Sequence, residues 1–109
     1  MAQIDTPAVL RRLAGFLESV PDLPAASVAV STGCYTQMIQ VCEPRGQDRA
    51  SDLARVAAVN QILAALGAAR TCRPLPGVGW HYIGEAHLGG LHLTVFTPVS
   101  VPLNPEVTP

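Results

Sequence analysis

Hydrophobic residues in this chain switch period three times, and that switching constrains the fold more than any other feature. Val9, Leu13, Phe16 and Val20 recur at helical spacing, with Leu10 and Leu17 widening the stripe. From Ala26 to Ser31 and again from Tyr35 to Cys42 the period drops to two, as in half-buried strands. Helical spacing returns with Leu53, Val56, Val59, Leu63 and Leu66, with Ile62 at one margin of the arc. The period of two then resumes over Trp80–Gly84 and Leu91–Phe96.

The punctuation agrees with these boundaries. Thr6 and Pro7 suit a helix start, because proline lacks only an N–H that the first turn leaves unpaired. Pro21 ends that helix. Thr32-Gly33-Cys34 supplies turn chemistry between the first two strands. Asp48 or Ser51 can cap the second helix, and Gly67 stands where a C-terminal glycine belongs. Pro74, Pro76, Gly77 and Gly79 mark a loop or a sheet edge, and Glu85–Gly90 reads as a loop. The order is α-β-β-α-β-β, with helices near residues 7–20 and 49–66. The expected fold is α+β: an antiparallel four-stranded sheet with both helices on one face. Residues 1–98 form one domain and 99–109 a proline-rich extended tail. Leu13, Phe16, Val30, Ile39, Val56, Leu63, Leu93 and Val95 are the expected core.

Composition narrows the function. The chain has 109 residues, 49% hydrophobic and only 14% charged, so it has apolar surface enough to fold. No apolar run approaches the length of a membrane span, and Met1–Asp5 offers neither a basic nor an apolar signal-peptide region. The formal net charge of −1 disfavours a nucleic-acid partner. An odd count of three cysteines, Cys34, Cys42 and Cys72, fits a reducing cytoplasm. Every basic residue is arginine, as a high-GC genome would produce.

No motif dictates a chemistry. Cys34, Cys42, Cys72, His81, His87 and His92 lack zinc-ligand spacing, so no metal and no cofactor are expected. A Cys–His–Glu85 triad has no flanking elbow or helix start to support it. His81, Glu85, His87 and His92 gather around the last hairpin, where proton transfer would be sought if the protein were an enzyme. The G-x-G of Leu75–Gly79 opens no helix, which excludes a dinucleotide cradle. No catalytic residues are assigned.

The reading that remains is protein binding. If Leu91, Leu93 and Val95 face the helices, then His92, Thr94 and Phe96 point away, with Met38 and Gln40 beside them. The neighbouring strand adds either Trp80 and Tyr82 or His81 and Ile83. Met38, Trp80, Tyr82, His92 and Phe96 are the candidate contact residues for a protein partner or a homodimer. The alternative is a nucleic-acid module in which Trp80 and Tyr82 stack bases and Arg45, Arg49, Arg70 and Arg73 hold phosphates.

The second half contains Ala57-Ala58-Val59, then Ala64-Ala65-Leu66-Gly67, Trp80-His81-Tyr82-Ile83 and Leu91-His92-Leu93-Thr94-Val95-Phe96-Thr97-Pro98. This helix-then-hairpin pattern ending in V-F-T-P resembles small uncharacterised proteins of actinobacteria and their phages or mobile elements. The resemblance covers about half of the chain and implies no activity. It suggests an accessory or regulatory role.

Overall fold

A computed structural model describes residues 6–20, 28–31, 36–68, 70–75 and 79–100. Two helices and five strands follow in the order α1 (Thr6–Ser19), β1 (Val28–Ser31), β2 (Gln37–Val41), α2 (Arg49–Leu66), β3 (Arg70–Leu75), β4 (Gly79–Leu88) and β5 (Leu91–Val99). The class is α+β, but the sheet is neither four-stranded nor wholly antiparallel. Its order is β1-β2-β5-β4-β3, and β2 pairs with β5 in parallel, Ile39 opposite Val95. The other three pairings are antiparallel.

The mixed sheet has a simple cause. Arg70–Leu75 is an edge strand, with Pro74 in it, rather than a loop. An edge strand tolerates proline because one side of its ladder is open. After α2 the chain therefore makes three strands, not two. β3 runs parallel to β2, as a helical crossover requires. Two further reversals return β5 to that same direction. β4 also continues through Glu85, Ala86, His87 and Leu88, and its hairpin closes over only Gly89 and Gly90. At the other end β5 reaches Val99, and the backbone N–H of Ser100 donates to Asp52, so the ordered domain runs past residue 98. The Thr32–Cys34 turn and residues 101–109 of the expected tail lie outside the described residues.

α2 occupies the stretch its period predicts. Asp48 caps it by accepting the Ser51 N–H at 3.2 Å and the Ser51 hydroxyl at 2.7 Å. These Ser51 bonds, the hydroxyl foremost, hold the Asp48 carboxyl below its ordinary range. The cap's contribution is thus present above the ordinary pKa and is lost as pH falls through the lowered one. At the far end Gly67 turns left-handed (φ 66°) and its N–H reaches back to the carbonyls of the last turn.

The core lies between the helices and one face of the sheet. Val9 and Leu13 of α1 and Val56, Val59, Ile62 and Leu63 of α2 cluster with Ile39, Val41, Tyr82, Leu93, Val95 and Val99. By strand register all the sheet members of that cluster share one face, so both helices cover the same side. Two side groups complete it. Tyr82 is fully buried and donates its hydroxyl to Asn60 Oδ1 at 2.9 Å; buried Thr97 donates to the Val41 carbonyl at 2.9 Å. Of the expected core, Phe16 and Val30 are only half-buried and pack at its margin. Leu63 has no exposed surface. Leu63→Ala is expected to lower unfolding stability by about 2–5 kcal/mol, transfer loss plus cavity, as read by urea denaturation.

Candidate functional site

Two places concentrate polar or reactive side chains: a cleft at the start of α2, and the sheet face the helices leave uncovered.

The cleft has a volume of about 520 Å³ and is lined by Gln40, Cys42, Arg45, Gln47, Arg55 and Ser100 among others. At its base Asp52 and Arg55 are 1% and 5% exposed. Arg55 Nη2 donates to Asp52 Oδ1 at 2.5 Å and to the Pro98 carbonyl at 3.2 Å. Arg55 Nη1 donates to the carbonyls of Pro44 (2.5 Å) and Gly46 (3.1 Å). The other Asp52 oxygen accepts the Ser100 N–H at 2.9 Å. The Ser100 hydroxyl lies 2.9 Å from that oxygen and 2.6 Å from the Gln47 carbonyl, and shares its one proton between them. Four of the five guanidinium donors are thus used; buried Nε has no partner. The arrangement ties the β2–α2 connection to the end of β5 and directs Arg55 inward. Arg55 is therefore not available to a phosphate. Cys42 is a free, half-buried thiol directed at the Gln40 carbonyl at 3.6 Å; Cys34 and the Cys72 side chain lie outside the described residues.

On the sheet, register assigns faces. Met38 pairs with Thr94, Gln40 with Phe96, Ile83 with Phe96, Glu85 with Thr94 and His87 with His92. All of these occupy the side away from the helices. Trp80 and Tyr82 occupy the opposite, helix-covered side, where Trp80 packs against the core cluster and Tyr82 is fully buried. Of the two phases open for β4, His81 and Ile83 are the pair on the uncovered face. The reason is Gly84 and Ala86, small and buried on the helix side, alternating with exposed Glu85 and His87.

The uncovered face is not bare along its middle. Phe96 is only 9% exposed, with the His81 ring 5.0 Å from it. Thr94 is buried as well, its hydroxyl 3.0 Å from that of Thr36, which also donates to the His92 carbonyl at 3.3 Å. β5 is central, and side chains from β2 and β4 lean over it from both flanks. Met38 is the large apolar residue that stands out, at 37% exposed. All three histidines of the chain fall on this face. The rings of His87 and His92 lie 5.2 Å apart, and His92 Nε2 is 3.5 Å from Glu85 Oε1. Burial lowers the His81 pKa from its ordinary value.

Of the candidate phosphate contacts, Arg45 is exposed and 3.5 Å from Glu43, and Arg49 opens α2. Arg70 and Arg73 lie on β3, beyond the far end of an 18-residue helix about 27 Å long, and their side chains are outside the described residues. No group of three or more His, Cys, Asp or Glu among the described residues is arranged to hold a metal ion. Among the same residues no helix is long and apolar enough to cross a membrane. Comparison with protein-family models, curated proteins and solved structures finds no match.

The buried pair is the feature the sequence reading missed. Its signal is positional: Asp52, Arg55, Val56, Val59, Ile62 and Leu63 form one continuous buried stripe, in which Asp52 ends the first turn and Arg55 lies in the second. Asp52→Ala is expected to cost about 3–5 kcal/mol, because it strands a buried guanidinium. In a double-mutant cycle, adding Arg55→Met to that variant is expected to cost less than Arg55→Met alone, as read by urea denaturation. Additive costs would show that the two side chains act independently.

Proposed function

We propose that this is a binding protein rather than an enzyme, and that it docks a protein partner on the uncovered face of its sheet. The observation carrying this reading is the distribution of charge. Arg11, Arg12 and Glu18 lie on α1, and Glu43, Arg45, Asp48, Arg49, Asp52 and Arg55 lie on α2 or the connection before it. Among described side chains the uncovered face carries Glu85 as its one fixed charge, engaged with His92. Around it stand Met38, Gln40, His81, Ile83 and His87. Aromatic and methionine side chains with few charges are what protein interfaces enrich at their centres. Met38, His92 and Phe96 keep their proposed contact role, joined by His81 and Ile83. Trp80 and Tyr82 serve the core instead. The nucleic-acid alternative loses its stacking platform with them.

The test is site-specific photo-crosslinking in cells of the native host. A crosslinking residue at position 38 is compared with one at position 10, where Leu10 is 42% exposed on α1. Polypeptide adducts are expected from position 38 and much less from position 10. Equal yields from both positions, or none from position 38, would sink the reading.

A further inference from the structure

The three histidines on one face, and the low net fixed charge around them, point to a particular partner and a particular control. Resting on the reading of that face as a docking surface, we propose that its occupant is a second copy of this chain, and that protonation of the face's histidines releases it.

Self-association in a two-fold arrangement brings a surface against itself. Any net fixed charge on such a surface repels its own image, so a self-docking face must be nearly neutral. This one is: Glu85, 3.5 Å from His92, is its fixed charge among described side chains, and Arg73 holds the register position opposite His81, so the two fixed charges cancel. Size fits a small, reversible interface. β1, β2, β3, β4 and β5 are four, five, six, ten and nine residues long. At about 3.3 Å per residue and about 4.8 Å between strands, the face offers roughly 540 Å². That is below the area of about 800 Å² per partner in a standard interface and within the range of weak, transient ones.

The histidines supply the control. Neutral imidazoles can be desolvated at little cost; imidazolium ions cannot. Two copies face to face enclose six imidazoles, three from each chain. Within one copy His87 and His92 are a directly opposed cross-strand pair, so charging both sets like charges side by side. The groups that bear on them can be named element by element. β4 contributes His81, Glu85 and His87, and β5 contributes His92. β2 contributes uncharged Met38 and Gln40, Thr36 just before it an uncharged hydroxyl, and β1 uncharged Ala29 and Ser31. On β3 the register position opposite His81 is held by Arg73. Glu85 can offset one imidazolium, and three are formed. Burial already disfavours the charged form of His81 in the single chain. Docking extends that burial and so further disfavours charging the face. The dimer therefore has its full stability where the imidazoles are neutral and loses it as pH falls and they take up protons.

Sedimentation equilibrium on the full chain, from about pH 7.5 to about pH 5.5, tests both parts, with near-UV circular dichroism following the fold at each pH. A dimer is expected at the upper pH. Its dissociation constant should rise by at least about tenfold across the range. His87→Gln with His92→Gln should keep the dimer and flatten most of the pH dependence. Met38→Arg should give a folded monomer at every pH. A wild type that is monomeric throughout at submillimolar concentration would overturn the second copy as occupant; adducts to other polypeptides from position 38 would then still uphold the docking face itself. A dimer equally strong at both pH values, or a weakening that the double glutamine variant retains, would overturn the histidine control. A dimer untouched by Met38→Arg would place the contact on another surface.

Discussion

The Asp52–Arg55 pair is what the rest of the architecture leans on. A parallel β2–β5 contact cannot be closed by a hairpin, so nothing local holds the end of β2 against the end of β5. Arg55 does it from the side. It gathers the carbonyls of Pro44 and Gly46, just after β2, and of Pro98, at the end of β5. Asp52 neutralises it and takes the Ser100 N–H, fixing the first residue beyond β5. The charge is costly to bury, and hydrophobic residues could fill the same space with no such cost. An apolar contact, however, would leave three peptide carbonyls unpaired at the mouth of the crossover. The pair specifies which ends meet.

That specification also decides what faces outward. Once β2 lies beside β5 with Ile39 opposite Val95, the side-chain period of two assigns every other residue on the sheet. The apolar set goes under the two helices. His81, His87 and His92 go together to the other side, with no helix over them. Histidines scattered over twelve residues of sequence become one patch solely because β4 and β5 pair in the register that sets His87 opposite His92.

The helices and the inward members of the central strands were legible in the sequence, because their apolar periods are strong and their caps are specific. Asp48, Ser51 and Gly67 bound α2 by chemistry that needs no tertiary context. What escaped depends on context. Trp80-His81-Tyr82-Ile83 offers an apolar body at every position, so alternation alone cannot choose its phase. The choice lies four residues on, in Gly84 and Ala86 against Glu85 and His87, and it is invisible if the strand is ended at Gly84. Likewise Arg70–Leu75 has the proline of a loop, and only its place at the edge of the sheet makes it a strand. The Asp52–Arg55 pair has no motif to announce it, since three of the four Arg55 partners are backbone carbonyls, which every sequence contains.

The hairpin that carries His87 and His92 is steadied from the far side of the molecule. Arg12 on α1 donates to the Leu88 carbonyl at 3.1 Å, at the last residue of β4. Gly89 follows with φ 53°, in the left-handed region, and a Cβ there would run into the Arg12 guanidinium. The turn is what requires the glycine; the exposed Arg12 side chain rests over it. The first helix, whose apolar residues reach the core through Val9 and Leu13, is in this way coupled to the tip of the β4–β5 hairpin. The His87–His92 pair lies one residue from that tip on each strand. Its spacing is therefore set by two elements distant in sequence, not by the hairpin alone. A patch whose response to protonation depends on two rings held 5.2 Å apart needs that kind of support, because a hairpin free to twist would let the charged rings swing apart and relieve their repulsion.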